Sequence, residues 1–594
     1  MPLRYSDRPR HRRLPFRPST EGGMPAASEE RTEQSGRVES TQGAASPNLA
    51  RSSAIMFAGT LVSRVLGLVR SPILLGAVVG ISAPAANGFD IANKLPNLIY
   101  MVVVGGLVNA VLVPAIVRAT KRSTDGGIAF INKLLTVAIV TLGIATALIT
   151  LSAPLIVKGF AATMQDDWYR LTVAFAYWCL PQIFFYGMYT VLGQILNARE
   201  NFGPYMWAPA LNNVVAIGGF LVVLATFGAA VPADVTDISR WSAGRVAMIG
   251  GFSTLGIALQ ALILVVPLRA LGIRFRPDFA WRNSGLGEAG RASWWMLLMM
   301  VTGIVPTLVL SNVAAGATQR AEDAGIALQS VAGNAIYTAA YSVYSIPTSL
   351  ITVSIATAIF TRLAKAAADA DLHSISAYAS LAIRAISTLT FLSAAGLIVL
   401  SVPVMRIFSF TVSAEESVTL ARVLTAMCIG LVSIGIVTTL DRVYYAFGDT
   451  RGAFWINLPF QVCGMIGYLL CGWLPPQWTV IGIGLVMSLT NTAAAVVMFT
   501  CLARRYGGLE KDRVVGAIAK LAVITLVTIG VGFALLLLFG PLYAPITVAG
   551  AVLRIVVVGP VMVGCYVGGM MLAKMPEIEA FSRLIGSVRA KLAR

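Results

Sequence analysis

The stretch AIMFAGTLVSRVLGLVRSPILLGAVVG, residues 54–80, is apolar and long enough to cross a hydrocarbon core of roughly 30 Å, yet it carries Arg64 and Arg70. An arginine near mid-bilayer costs roughly 2.5–3.5 kcal/mol on insertion scales, so two in one span imply a hydrated interior surface or an anionic partner. The two stand six positions apart, about 120° around a helix, with Gly67 midway on that arc. One face therefore offers two guanidiniums beside bare backbone. Guanidinium forks match phosphate oxygens two at a time, which makes a pyrophosphate a natural ligand. Snorkelling to an interface, or pairing with an internal carboxylate, is the alternative.

The rest of the chain has the same character. Of its 594 residues 57% are hydrophobic and only 12% charged, and the mean hydropathy is +0.77. This places it among all-α polytopic membrane proteins. Windows of about 18 to 25 apolar residues give about 14 transmembrane helices: 54–80, 85–119, 127–157, 168–197, 204–230, 244–268, 290–315, 328–361, 374–402, 416–446, 453–474, 478–503, 514–540 and 544–573. An even number puts both termini on one side. The net charge of +18 is not a nucleic-acid signature, because the basic residues gather in alternate connections. One set holds Arg118, Lys121, Arg122, Arg199, Arg269, Arg274, Arg276, Arg362, Lys365, Arg451, Arg504 and Arg505; the other is sparse and includes Asp166, Asp234, Glu322 and Glu415. The positive-inside rule then makes both termini cytoplasmic, in a multi-pass membrane protein. Residues 1–50 lack apolar periodicity and read as a disordered cytoplasmic arm without a cleavable signal. Residues 574–594 form a basic tail suited to anionic headgroups.

In the second span Asn87, Asp90, Lys94 and Asn97 fall within about 80° of one helical face, and Gly105 extends that stripe. Asp90 and Lys94 can pair as i,i+4 neighbours. The stripe either lines a cavity, with Lys94 as a second phosphate contact, or is interfacial. Pro96, Gly105, Gly106 and Pro114 interrupt the same span and supply bending points, or else small-residue packing. The cysteines, at positions 179, 428, 463, 471, 501 and 565, show no metal or disulfide spacing and read as small packing residues. His11 and His373 suggest no metal site, and no nucleotide-binding or hydrolase motif occurs, so neither catalysis nor ATP-driven transport is expected.

Two connections echo each other. LNARENFGPYMW (196–207) and YAFGDTRGAFW (445–455) each carry an alanine, an acidic residue and a glycine before an aromatic-rich span, and each follows the fourth span of a group of six. Their offset of about 250 residues suggests repeated halves, 51–268 and 290–506, followed by two extra helices, 512–573. Inside its spans the second half has fewer charges: Asn312, Asn334, Arg384, Asp441 and Arg442, beside Tyr337, Tyr341 and Tyr344. Asp441 could pair with Arg442 or hold a cation, although adjacent helical positions point about 100° apart.

SRVLGLVR (63–70), NKLPNLIYMVVVGGLVNAVLVPAIVRA (93–119), QILNARENFGPYMWAPALNN (194–213) and YYAFGDTRGAFW (444–455) together resemble the MviN/MurJ family, within the multidrug/oligosaccharidyl-lipid/polysaccharide exporter superfamily. The resemblance implies two six-helix lobes around a cationic central cavity, two C-terminal helices that form a groove for a lipid tail, and a lipid II flippase working by alternating access. It places Arg64 and Arg70 on the family's paired first-helix arginines and makes Asn197, Arg199, Glu200 and Gly203 a cytoplasmic gate segment, with Gly105 and Gly106 as a hinge. Departures accompany it: Asn87 stands where many members have an acidic residue, Gly105–Gly106 where they have Glu-Gly, and Tyr341–Ser342 where they have Asp-Arg. The implied cavity is less charged than is usual, so Arg64, Arg70 and Lys94 carry more of the headgroup binding, with Asp90, Asn87 and Asn97 beside them. No cofactor or metal is expected; transport would couple to membrane potential or a monovalent cation. The implied partners are lipid II or a related polyprenyl-pyrophosphate lipid, with cell-wall synthesis proteins engaged through residues 1–50. Export of another polyprenyl-linked glycan or an amphiphilic drug, or a transport-incompetent scaffold for cell-wall enzymes, are the alternatives.

Overall fold

The computed structural model describes residues 47–101, 127–279, 294–505 and 508–578. In these segments the chain is a bundle of helices, eleven of them long and apolar enough to cross a membrane, or twelve when one bent pair is counted as a span. Of the fourteen expected spans, that at 85–119 is described only to Met101, and that at 290–315 corresponds to Trp294–Asp323, a thirty-residue helix outside the eleven.

In the first lobe α1 (Pro47–Pro72) continues as a π-helical segment, Ile73–Val79. The proline at its junction has no N–H for the i→i−4 ladder, and the wider turn follows directly. Next come α2 (Pro84–Tyr100) and α3 (Ile128–Leu151), then the short α4 (Ala153–Phe160), α5 (Asp166–Cys179), α6 (Gln182–Ala198), α7 (Gly203–Phe227), α8 (Ala243–Leu262) and α9 (Val265–Ala270). The second lobe contains α10 (Trp294–Asp323), α11 (Asn334–Pro347) and, after a π-helical Thr348–Thr352, α12 (Val353–Ala368). It continues through α13 (Leu372–Val399), α14 (Ser401–Phe408), α15 (Ala414–Cys428), α16 (Leu431–Ala446), α17 (Thr450–Cys471) and α18 (Pro476–Arg505). The extra pair is α19 (Lys511–Leu537) and α20 (Val548–Leu572).

Several expected spans prove to be broken. The span at 168–197 divides at Leu180–Pro181, where proline removes a backbone donor. The span at 416–446 bends by 46° between α15 and α16. There Gly430 lies against α18: a Cβ on it would meet the Ser488 Cα at 2.6 Å. Its freed N–H donates to the Ser488 Oγ at 3.0 Å, so the break leaves no orphan amide. Among the cysteines, Cys179, Cys428 and Cys471 are buried as expected, whereas Cys463 and Cys501 are exposed.

The repeated connections share one backbone device. After α6 the Asn201 N–H bonds to the Leu196 carbonyl and the Glu200 N–H to that of Asn197; after α16 the Asp449 N–H bonds to Tyr444 and the Gly448 N–H to Tyr445. Both are Schellman turns, which need a left-handed residue just past the helix. Glu200 (φ 58°) fills that place in one half and Gly448 (φ 68°) in the other. A side chain pays a steric cost there that glycine avoids. Glu200→Gly is expected to raise stability by up to about 1 kcal/mol and Gly448→Ala to lower it by a similar amount, read as shifts in thermal unfolding of the detergent-solubilised protein.

The connection between α7 and α8 is held by charge. Asp234, 1% exposed, accepts from the Arg240 Nε at 2.6 Å and the Arg245 Nη1 at 3.0 Å. Arg245 also donates to the Val78 carbonyl at 3.1 Å and stacks over the Trp241 ring at 4.3 Å, tying the end of the first span to α8. Burial alone would raise the Asp234 carboxyl, but hydrogen bonds from Arg245, the Val231 N–H and Arg240 outweigh it and hold it below the usual carboxylate range. A lowered folded-state pKa gives stability that is present above the unfolded value of about 3.9 and lost as pH falls through the folded value. The unfolding midpoint should therefore drop on acidification below about pH 4, and a titration of Asp234→Asn should show a shallower drop.

Candidate functional site

The polar residues of the first two spans lie where the lobes meet. Arg64 is exposed and crosses between lobes, its Nη1 donating to the Ser349 Oγ at 2.6 Å. Arg70 is half-buried within the first lobe, 5.8 Å from the centre of the Phe220 ring. The two arginines thus engage different neighbours. Just before Arg64 the backbone is pinned to α7, because the Asn213 Nδ2 donates to the Ser63 carbonyl at 2.8 Å.

On α2 the stripe changes character along its length. Asn87 is 1% exposed and Asp90 7%. The Lys94 side chain is 29% exposed, and Asn97 is exposed. Asn87 caps a helix of the other lobe: Gly333 at the N-terminus of α11 has no side chain to do so, and the Asn87 Oδ1 accepts the Ala335 N–H at 3.0 Å. The approach is close, since a Cβ on Gly333 would meet the Asn87 amide at 2.5 Å. One turn further, Asp90 accepts from the Thr338 Oγ1 at 2.9 Å and from the Lys94 Nζ at 2.5 Å.

Other bonds across the lobes cluster toward the end that carries the basic-poor loops. Ser82 donates to the Glu416 Oε1 at 2.6 Å, while the other oxygen of Glu416 completes a capping box with Ser413 at the start of α15. After α4 the Ala162 N–H donates to the Asn312 Oδ1 at 2.8 Å, and the Thr163 Oγ1 to the Asn312 carbonyl at 2.9 Å. Toward the opposite end the stripe opens. At 1.5 Å per residue from the basic-poor ends of their helices, Arg70 and Lys94 both lie at roughly 15 Å, near mid-bilayer, with Asn97 and Arg64 a turn or two deeper.

The expected gate residues follow α6. Asn197 closes its last turn, with its Nδ2 3.4 Å from the Gln194 Oε1; Arg199 and Glu200 form the Schellman turn; and Gly203 begins α7. Gly105 and Gly106 lie outside the described residues. In the second lobe Asp441 accepts from the Asn457 Nδ2 at 3.1 Å while Arg442 lies over the Phe360 ring at 5.6 Å, so these neighbours do point apart. Tyr341, where charge was missing, stacks on Tyr337 with centroids 6.1 Å apart. Among the described residues no group of three or more His, Cys, Asp or Glu could hold a metal ion.

Sequence reasoning missed the cross-lobe partners Thr338, Ser349 and Glu416, all common residue types with no local motif. Asn312 and Asn334 stood out only as polar residues inside apolar spans. Asn334 proves to hold its own lobe together, donating to the Ser311 carbonyl at 2.9 Å.

Residues 77–553 match the family model described as "Lipid II flippase MurJ". A "Probable lipid II flippase MurJ" of Synechocystis sp. is 24% identical over 560 residues, 91% of this chain and 97% of that protein. One of the same description from Rickettsia prowazekii is 23% identical over 419 residues, 69% of this chain and 76% of that protein. The solved structure "Lipid II flippase MurJ, inward closed conformation" superposes with a TM-score of 0.65 at 18% identity, covering 87% of this chain and all of that one. An inward-facing multidrug resistance transporter of the MATE family superposes at 0.51 and 15% identity, covering 75% and 99%.

Proposed function

From the membership of this chain in the lipid II flippase MurJ family, we propose that it carries the undecaprenyl-pyrophosphate-linked peptidoglycan precursor, lipid II, from the inner to the outer leaflet of the bacterial plasma membrane by alternating access. The basic-rich end and both termini face the cytoplasm. The observation that carries this reading is the graded stripe on α2, locked against α11 at one end and open at the other, with Lys94 at the depth of Arg70. A lobe pair bonded together on the basic-poor side suits loading from the cytoplasm.

Arg70 and Lys94 hold the pyrophosphate at mid-depth, and Arg64, lower on the same wall, meets it on entry. Asp90 keeps Lys94 extended until an anion competes for it. Asn197, Arg199, Glu200 and Gly203 bound the entrance. Moving a charged headgroup outward draws on the membrane potential, worth about 2.3 kcal/mol per charge per 100 mV. Residues 1–50 recruit cell-wall synthesis proteins.

The experiment is transport of lipid II by the purified chain in vesicles, together with depletion in its native cell. Translocation in vesicles and its failure in depleted cells are expected. Normal delivery of lipid II to the outer leaflet of depleted cells that hold no paralogue would refute the assignment.

A further inference from the structure

Away from the lobe interface, the first lobe holds a cavity of about 740 Å³ between α3, α6, α8 and α9. Its lining is apolar, with Leu135, Phe184, Met188 and Leu192 among the walls, except at the mouth, where Arg269 and Arg274 stand. Both arginines are exposed, and neither pairs with a carboxylate among the described residues. Leu262 and Phe275 line the same cavity and are exposed, so the opening faces the hydrocarbon of the bilayer.

The outer wall is a built feature. After α9 the chain turns back along α3 as an extended strap, 273–279, anchored by buried polar side chains of that helix. The Arg276 N–H donates to the Asn132 Oδ1 at 3.1 Å and the Asp278 N–H to the Thr136 Oγ1 at 2.9 Å. Asn132 and Thr136 are 8% and 3% exposed, so these bonds fix the strap and hold Arg274 beside the cavity. Two guanidiniums over an apolar slot at the basic-rich end of a bundle match a phosphodiester headgroup with its acyl chain beneath.

We propose that this cavity is a specific site for an anionic glycerophospholipid of the leaflet at the basic-rich end, with Arg269 and Arg274 holding the phosphate and an acyl chain filling the slot. The site does not depend on the transported cargo. Two cationic contacts at the headgroup should give a preference of roughly thirtyfold over a zwitterionic lipid.

The test is native mass spectrometry of the full chain after exposure to equimolar phosphatidylglycerol and phosphatidylcholine. The expected result is retention of phosphatidylglycerol in preference, loss of that preference in Arg269→Ala/Arg274→Ala, its survival in the double lysine variant, and reduced retention of both lipids in Leu262→Trp. As both arginines are exposed, removing them leaves the packing intact, which unfolding midpoints check. A second readout is the rise in unfolding midpoint on adding phosphatidylglycerol, expected for the wild type and absent from the double alanine variant. Equal retention of the two lipids by the wild type, or an undiminished preference in the double alanine variant, overturns the proposal. Lipid II transport measured on the same variants separates this site from the flippase reading, because loss of lipid preference with transport still present concerns this cavity alone.

Discussion

Charge reversal at Arg70 is expected to abolish lipid II transport while leaving membrane insertion and folding in place. The wild-type guanidinium lies half-buried at mid-bilayer depth, against the Phe220 ring and within reach of the level of Lys94. On the proposed pyrophosphate path, Arg70→Glu would both remove a phosphate fork and place a carboxylate where the headgroup passes, so attraction becomes repulsion in a medium that screens poorly. Arg70→Lys keeps the charge and loses the bidentate geometry, so activity about tenfold below wild type is expected, in keeping with the loss of one charge-assisted hydrogen bond. Transport into reconstituted vesicles and rescue of a depleted strain measure both, with membrane abundance as the control. Full rescue by the glutamate variant would take the pyrophosphate away from Arg70.

The second large effect is expected at Arg384. Its guanidinium, 7% exposed, pairs with Glu577, 9% exposed, in the segment following α20. The neighbouring Ser380 Oγ donates to the Glu510 Oε2 at 2.6 Å, at the start of α19. These contacts from α13 hold both ends of the extra helix pair. Arg384→Ala would leave the Glu577 carboxylate buried without its counter-charge, a loss of about 3–5 kcal/mol. Removing both charges in Arg384→Leu/Glu577→Leu should restore most of that stability, since a well-packed apolar pair often matches a buried ion pair. Thermal unfolding of the two variants measures the difference. If the double variant is no more stable than Arg384→Ala, packing rather than charge holds the helices.

Much of this was legible because the bilayer constrains the chain so heavily. An uninterrupted apolar window has few structural outcomes, and the i, i+3, i+7, i+10 spacing of Asn87, Asp90, Lys94 and Asn97 fixes one helical face whatever surrounds it. The likeness of the two connections was legible too, since LNARENFG and YAFGDTRG make the same turn. The breaks at Pro181 and Gly430 were not, because hydropathy stays high across them and nothing local signals the Ser488 hydroxyl that satisfies the bend. The neighbours of the two arginines were equally hidden. A helical wheel separates Arg64 from Arg70 by about 120°, but only packing brings Ser349 to one and Phe220 to the other. The cap that Asn87 provides lies outside local sequence altogether, as its recipient is 248 residues away.

That shared cap sets an energetic threshold for motion. When the lobes part on the basic-poor side, the Ala335 and Ala162 amides, Thr338, Thr163 and Ser82 must all give up their partners in the other lobe, so opening forfeits at least five bonds, two of them to carboxylates. At about 0.5–1.5 kcal/mol for each neutral bond and 1.5–3 for each charged one, the threshold is roughly 5–10 kcal/mol. Carrying two headgroup charges through 100 mV yields about 5 kcal/mol. On the proposed coupling to membrane potential, a loaded carrier would meet electrically much of what an empty one must wait for thermally, which would make the latch a discriminator between productive and idle cycles.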